Sequence, residues 1–225
     1  DYTYNLGINI RNLLSKMWID HFKLPIDSIS DWWPTVFRHI REYFYSCEWN
    51  GVYDLIEFVA NNFEVESTNR EFIETCNRFL EREASGYRFV GNKVTPIINQ
   101  IEVSAIEEAL KTPITPVAAH LDSALEKLSD RKNPDYRNSI KESISAVEAI
   151  CRLITKDKNA TLGQALDKIE REMNIDLHGA LKKGFSSIYG YSSSAEGIRH
   201  SMIDESTTLR FEDAKFMLVS CSAFV

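Results

Sequence analysis

The sequence predicts a mainly all-α protein, a helical bundle with one small β-hairpin near residues 86–96. Three observations predict this class. Apolar residues recur at helical spacing along most of the chain. Only the stretch around Gly91 and Asn92 combines short β-favouring runs with the residues of a tight turn. The 225 residues are 44% apolar and 26% charged, which is the composition of a globular protein that buries its own core.

Four helices are predicted before the hairpin. The first covers about residues 5–20 and ends before Pro25. The second is expected to be capped by Asp31, with Pro34 in its first turn. Apolar stripes over 52–63 and 68–83 predict the third and fourth helices, and a fifth helix over 99–111 follows the hairpin.

Thr112 and Pro113 begin the clearest break in the helical pattern. We therefore divide the chain into an N-terminal helical region with the short hairpin, residues 1–112, and a C-terminal helical bundle, residues 113–225. The second region is predicted to contain helices over 116–129, 134–155, 162–169, 177–188 and 211–225. Thr161 should cap the third of these, and Tyr189-Gly-Tyr191 should end the fourth.

Charge and cysteine usage narrow the class of protein. The net charge is −7, which argues against a protein whose whole surface is basic and binds nucleic acid. Residues 1–112 carry 11 basic against 17 acidic residues, whereas residues 113–225 carry 15 against 16, so the second half tolerates a phosphate-bearing partner better. The four widely spaced cysteines predict free thiols in a reducing, cytoplasmic compartment.

Targeting and membrane signals are not visible in the sequence. No apolar run approaches the length of a membrane span, and no basic-then-apolar leader is visible. The sequence begins at Asp1 rather than at Met, which is typical of a piece of a longer protein.

The usual phosphate-loop, dinucleotide, zinc-protease and hydrolase motifs are also missing. Five scattered histidines have no partner at metal-ligand spacing, so neither a metal nor a cofactor is predicted.

Two segments of the C-terminal half have residues that suit a phosphate. Arg137 and Glu148 lie near one edge of the apolar stripe of the long helix. This edge is either an ordinary solvent-exposed flank or a half-buried polar surface that faces another helix. The segment from His178 to Tyr191 includes Lys182 and Lys183, and its lysines and tyrosines suit a phosphate and a base. Ordinary surface lysines on a helix explain the same segment.

The adjacent pair Arg199 and His200 carries the most specific chemistry. An arginine holds a phosphate through its planar fork, and a histidine moves a proton near neutral pH. Together they suffice for metal-free RNA transesterification, in which the histidine transfers protons and the arginine stabilises the charged phosphorane. The alternative is a structural arginine paired with an acid such as Asp204 beside a hydrogen-bonded histidine.

Several segments together resemble a bacterial HEPN-like family that is grouped with the N-terminal domains of AbiJ-type abortive-infection proteins. The resemblance covers most of the chain and is best from about residue 84 onward. It rests on residues 128–151, Thr161-Leu-Gly, Tyr189-Gly-Tyr191, Gly197-Ile-Arg-His200, residues 213–224 and Trp49 to Phe58.

The resemblance implies a helical bundle that acts as a metal-independent endoribonuclease toxin in phage defence. Arg199 and His200 would be catalytic, with Glu148 on the long helix as the carboxylate of the cleft. RNA would be bound by basic and aromatic side chains of the same half, namely Lys182, Lys183, Arg137, Tyr191 and His178. The implied partners are a second copy of the chain, RNA and another defence protein, without a membrane.

Two further functions stay open from the sequence. The family separates its arginine and histidine by several residues, whereas Arg199 and His200 are adjacent and would point about 100° apart on a helix. This favours a non-catalytic module that dimerises, senses a signal and regulates a partner. A nucleotide-binding regulatory domain, with Lys182, Lys183 and Arg199 on the phosphates, is the third hypothesis.

Overall fold

The computed structural model describes residues 7–173, 176–193 and 209–225. In these residues it contains ten α-helices and one two-stranded hairpin, which confirms the mainly all-α class. The chain forms two compact units, Asp1–Val94 and Thr95–Val225, and each is described by itself. The division that the sequence suggests after residue 112 lies inside the second unit and stays a prediction about domains.

The first unit contains four α-helices, two short helical turns of other types and the hairpin. They are α1 (Ile8–Lys16), a π-helical turn (Met17–His21), a 3-10 turn (Ile26–Ser28), α2 (Trp33–Ser46), α3 (Trp49–Asn62), α4 (Glu66–Arg82), β1 (Arg88–Val90) and β2 (Lys93–Thr95), whose last residue opens the second unit.

The hairpin depends on side chains of the preceding helices. The side-chain amide of Asn77 on α4 donates to the carbonyl of Phe89 at 3.1 Å, and its oxygen accepts from the Phe89 N–H at 2.7 Å. Glu57 on α3 accepts from the Val94 N–H at 2.8 Å. Gly91 supplies the turn with a φ of 55°. An isolated two-stranded hairpin is marginal in water, so these helix contacts explain why it forms.

The second unit contains six α-helices. They are α5 (Gln100–Leu110), α6 (Thr115–Ser129), α7 (Tyr136–Thr155), α8 (Leu162–Met173), α9 (Gly179–Ser193) and α10 (Phe211–Phe224). The predicted apolar stripe of α7 is buried at Ile140, Ile144, Val147 and Cys151, which confirms that this helix lies in the core. α7 packs against α6 and α10, and buried Met217 and Leu218 of α10 complete the core.

The predicted helix starts are correct in part. Thr161 and Gln164 form a reciprocal cap at α8, since the Gln164 side chain accepts from the Thr161 N–H at 2.8 Å and Thr161 Oγ1 accepts from the Gln164 N–H at 3.4 Å. Asp135 caps α7, since its side chain accepts from the Asn138 N–H at 3.0 Å. The Asp31 cap is wrong, because α2 begins at Trp33 and Trp32 is the cap position. Asp31 therefore lies one residue too early to reach the first free N–H groups.

The predicted end of α9 is also wrong. The helix continues through Tyr189-Gly-Tyr191 to Ser193. A glycine inside a helix costs about 1 kcal/mol relative to alanine, and the sequence rule counts only that local cost. In the structure Tyr189 lines a cleft and its hydroxyl is bonded to α7, so tertiary contacts keep this turn helical.

Candidate functional site

Glu148 on α7 is a half-buried carboxylate that accepts hydrogen bonds from α9 and from its own helix. The Tyr189 hydroxyl on α9 donates to Glu148 Oε1 at 2.8 Å. Arg152, one turn along α7, donates to Oε2 at 3.2 Å. The Glu148 side chain is only 14% exposed, whereas that of Arg152 is 51% exposed. The carboxylate is therefore held in place at the boundary between the apolar interior and the solvent.

Glu148 has this position because of the helical repeat of α7. It follows Val147, which is buried, and it lies one turn after Ile144 on the same side of the helix. An edge position next to an apolar stripe puts a carboxylate partly inside the protein, where it needs hydrogen-bond partners. Tyr189 and Arg152 provide them.

A mainly apolar cleft lies beside this carboxylate, between α7, α8, α9 and α10. Together with its open mouth it encloses about 280 Å³. Among the described residues, its walls are made by apolar and aromatic side chains with two hydroxyl groups, from Ile144, Val147, Leu162, Phe185, Ile188, Tyr189, Ser220, Cys221 and Phe224. The rings of Phe185 and Phe224 meet edge to face with centroids 5.4 Å apart. Tyr189 belongs to both features, since its ring lines the cleft and its hydroxyl holds Glu148.

The two cysteines of this unit are poor nucleophiles. Burial raises the pKa of Cys221, in the cleft wall, to about 12. Burial, with a smaller contribution from the Glu148 carboxylate, raises the pKa of Cys151 to about 11. The thiolate is the reactive form of cysteine, so both side chains act as apolar groups at neutral pH.

Lys182 makes an ion-pair cluster between α8 and α9. Its ammonium group donates to Asp167 Oδ1 at 3.0 Å and to Glu170 Oε2. The hydrogen bonds that Lys182 donates to Glu170 and, with a smaller effect, to Asp167 raise the pKa of Lys182, and the same bond to Glu170 lowers the pKa of Glu170. Lys183 points to the exposed side of the same helix. The two adjacent lysines therefore have different environments, although no sequence signal distinguishes one from the other.

Removing this cluster should loosen α9. We expect Lys182→Met to lower the hydrogen-exchange protection of the α9 amides, whereas Lys183→Met, as the matched control, should leave it unchanged. Glu170 has a lowered pKa, so its contribution is full above its ordinary value of 4.5 and is lost as the pH falls further. Lys182 has a raised pKa, so its contribution is full below 10.5 and is lost at higher pH. Equal protection in both variants at pH 7, after correction for intrinsic exchange, would contradict this assignment.

His178, Arg137 and Tyr191 are the other predicted phosphate ligands, and their role stays a prediction. His178 caps α9, because its Nδ1 accepts from the Ala180 N–H at 3.2 Å, which assigns the ring proton of the neutral form to Nε2. Arg137 is half-buried in the first turn of α7. Tyr191 belongs to α9, and its side chain lies outside the described part of the chain.

Arg199 and His200, the predicted catalytic pair, lie outside the described residues, which resume at residue 209. Their role is therefore a prediction that rests on the sequence and on the resemblance.

Sequence reasoning missed a histidine–carboxylate pair. His120 on α6 and Glu142 on α7 are joined through Nδ1 and Oε2 at 2.7 Å, and both side chains are half-exposed. His120 appears in the sequence beside an apolar helix face, where a packed ring is the simpler expectation. The two residues are 22 positions apart, so only the antiparallel register of α6 and α7 brings them together.

Residues 7–173, 176–193 and 209–225 contain neither a group of metal ligands nor a membrane-spanning helix. No group of three or more histidine, cysteine, aspartate and glutamate side chains in these ranges is arranged to hold a metal ion. The helices of the same ranges do not include one that is long and apolar enough to span a membrane.

The comparison with protein families finds a match in the N-terminal half of the chain. Residues 1–112 match the model described as AbiJ N-terminal domain 4, which relates the chain to the AbiJ-type domains and confirms that part of the resemblance. The match lies in the N-terminal half, whereas the sequence resemblance was best from about residue 84 onward. Neither the curated proteins nor the solved structures contain a match to the chain.

Proposed function

We propose that this chain acts in phage defence as a metal-independent endoribonuclease. Its residues 1–112 relate it to the AbiJ-type domains of abortive infection. Arg199, His200 and Glu148 would carry the reaction. The observation that supports this most directly is the position of Glu148, a carboxylate that is 14% exposed and held by Tyr189 beside a cleft.

The proposed reaction needs only protein side chains. His200 accepts the proton of the RNA 2′-hydroxyl, whose oxygen attacks the adjacent phosphorus. The bond from phosphorus to the 5′-oxygen breaks, and that oxygen receives the proton that His200 took up, which leaves a 2′,3′-cyclic phosphate and a 5′-hydroxyl end and restores the neutral imidazole. Arg199 stabilises the charge that develops on the phosphorane, and a carboxylate such as Glu148 pairs with a guanidinium to orient it.

RNA binding is proposed for the same half of the chain. Lys183 is exposed on α9, and Arg137 lies in the first turn of α7. Tyr191 and His178 lie at the two ends of α9, so they would contact different nucleotides. Lys182 would reach a phosphate only by leaving Asp167 and Glu170.

The decisive experiment is induction of the full chain in bacteria, with growth and RNA integrity followed over time. We expect growth arrest together with RNA fragments that have 5′-hydroxyl ends. Purified protein should cut the same RNA in the presence of a chelator, because no metal takes part in the proposed reaction. Normal growth and intact RNA under strong induction would overturn the nuclease proposal.

Glu148→Gln tests the carboxylate without changing its shape. A charge-assisted hydrogen bond contributes about 1.5–3 kcal/mol, which corresponds to a loss of cleavage of about 10- to 100-fold. Glutamine still accepts from Tyr189, so the denaturation midpoint should change little. Glu126→Gln, at an exposed position on α6, is the matched control and should cleave like the unchanged protein. Equal cleavage by both variants would remove Glu148 from the reaction.

A non-catalytic regulatory module is the second candidate. Two of the predicted phosphate ligands already have internal partners, since Lys182 is paired with Asp167 and Glu170 and His178 caps its own helix. A chain of this kind would sense a signal and control a partner defence protein in the cytoplasm. It should arrest growth only together with that partner and should leave RNA intact when expressed alone. A nucleotide-binding domain would instead bind a nucleoside triphosphate through Lys183 and Arg199.

We also propose a homodimer with α10 at its interface. Phe216 on α10 is 56% exposed, although Met217 and Leu218 beside it are fully buried. We expect a light-scattering mass of twice 25.9 kDa, and Phe216→Glu should shift it to the single-chain mass. Leu181→Glu, which changes an exposed residue of α9, should remain dimeric as the control. A mass of one chain at high protein concentration would rule the dimer out.

A further inference from the structure

His120 on α6 and Glu142 on α7 form a pair whose geometry fixes where the imidazole ring can react. Nδ1 of His120 and Oε2 of Glu142 are 2.7 Å apart. An ionised carboxylate only accepts, so the neutral ring carries its proton on Nδ1 and its lone pair on Nε2. The His120 side chain is 40% exposed, and its Nε2 atom is not buried and bonds to no other described residue. The nucleophilic nitrogen is therefore open to the solvent.

The two packed helices hold this pair in place. Leu121 and Ala124, which lie beside His120 on α6, are fully buried, and α6 packs against α7. The hydroxyl of Ser139 on α7 donates to the Ala124 carbonyl at 2.8 Å, so a second bond fixes the register of the two helices near the pair. A ring that is already oriented loses little freedom when a reactant approaches it, and this favours reaction.

Compact side chains lie one turn before and one turn after His120 on α6. Pro116 precedes His120 by four positions and is exposed, and Ser123 follows it by three positions and is half-exposed. Residues at these spacings share one face of a helix. A reactant that is carried by a large partner can therefore approach the ring along α6 without displacing a long side chain from these two turns.

A positive charge lies on the same face of α6. Lys127 is two turns after His120, and its ammonium group reaches back to donate to Ser123 Oγ at 2.8 Å. Because Ser123 is one turn from His120, the ammonium group is brought toward the imidazole ring. A cation beside a nucleophile attracts an anionic reactant, and phosphoryl oxygens are anionic acceptors of this kind. The face therefore suits a reactant that carries a phosphoryl group.

His178 has the opposite arrangement of its ring proton. It is exposed at the start of α9, and its Nδ1 accepts from the Ala180 N–H at 3.2 Å. The neutral ring of His178 therefore carries its proton on Nε2, and the helix cap uses the lone pair of Nδ1. Exposure alone would make His178 the more reactive histidine, whereas the hydrogen bonds make His120 the better nucleophile.

We propose that His120 is a phosphoryl-acceptor site, at which Nε2 takes a phosphoryl group from an acyl phosphate. The Nε2 lone pair forms the bond to phosphorus, the bond from phosphorus to the acyl oxygen breaks, and the leaving group departs as a carboxylate. The Nδ1 proton stays on the ring, and Glu142 stabilises the positive charge that the ring acquires. An acyl phosphate fits because its leaving group needs no proton, and the pair supplies no acid. The reaction is independent of RNA cleavage, in which His120 takes no part.

Phosphoramidate, a small phosphoryl donor that releases ammonia, tests the site on the full chain. Peptide mapping over time should show labelling of His120 at least roughly tenfold faster than labelling of His178, because a charge-assisted hydrogen bond supports only the first. Phosphorus NMR should place the group on Nε2, and acetyl phosphate should give the same product. Equal or faster labelling of His178, or attachment through Nδ1 of His120, would overturn the site. Labelling by phosphoramidate alone would overturn the acyl phosphate as donor.

Glu142→Gln tests the carboxylate as a positioning residue. Labelling of His120 should slow by about 10- to 100-fold, because glutamine lacks the charge that stabilises the ring. Nitrogen NMR shifts of the ring should show that the proton is no longer confined to Nδ1, which a merely structural role of Glu142 would not change. Glu126→Gln, at an exposed position on α6, is the matched control and should be labelled like the unchanged protein. Equal labelling of the two folded variants, with unchanged ring shifts, would refute the role of the pair.

Discussion

Replacing His200 with alanine is expected to lower RNA cleavage by about 100- to 10,000-fold, the usual contribution of a general acid or base. The reason is that the proposed reaction assigns the transfer of the 2′-hydroxyl proton to His200. The fold should be unaffected, so far-UV circular dichroism and the denaturation midpoint should match those of the unchanged chain. Initial rates on a defined RNA, measured with a chelator present, check the effect.

Substitution of Arg199 should lower RNA cleavage in the same way, and a lysine variant tests the need for the guanidinium. Arg199→Ala should lose activity to a similar extent, and Arg199→Lys should not restore it, because lysine lacks the planar fork that binds two phosphate oxygens. His120→Gln is the matched control, since His120 is a half-exposed histidine of the second unit whose partner is Glu142. Full activity of both the His200 and the Arg199 alanine variants would end the catalytic proposal for this pair.

Ile144→Ala is expected to destabilise the fold by about 2–5 kcal/mol, and Val147→Ala by about 1–3 kcal/mol. Ile144 is 1% exposed and Val147 is 4% exposed on α7. Truncation therefore removes apolar contacts in the core of the second unit and leaves a cavity next to the cleft. Chemical denaturation followed by circular dichroism measures both losses.

Leu153→Ala gives the matched control on the same helix. Leu153 is 57% exposed, so its truncation should change the free energy of unfolding by no more than about 0.5 kcal/mol. If Ile144→Ala and Leu153→Ala had the same midpoint, the core position of α7 would be wrong.

Most of the helices could be predicted because the signal for them is local. The apolar stripe of α7, the turn at Gly91 and the cap at Thr161 each depend on a few residues that are close in sequence. The wrong predictions rest on local signals that other contacts override. Asp31 has the right chemistry for a cap but lies one position too early, and the glycine at position 190 does not end α9.

The candidate site depends on contacts between helices that local sequence signals do not predict. Glu148 was a candidate because it lies at the edge of an apolar stripe and because of the family resemblance. Its bond to Tyr189 spans 41 positions, and that partner follows from how α7 packs beside α9. The different environments of Lys182 and Lys183 have the same origin, since only one of them faces Asp167 and Glu170 on α8.

The helical class, the hairpin, the buried face of α7 and the candidate residues for phosphate chemistry follow from the amino-acid order. The contact of Glu148 with Tyr189 beside a mainly apolar cleft, and the pair of His120 and Glu142, follow from how the helices pack. Helix formation depends on neighbours within about one turn, so the sequence encodes it directly. A contact between two helices depends on their packing and on their register along each other, and residues far apart in the chain set both.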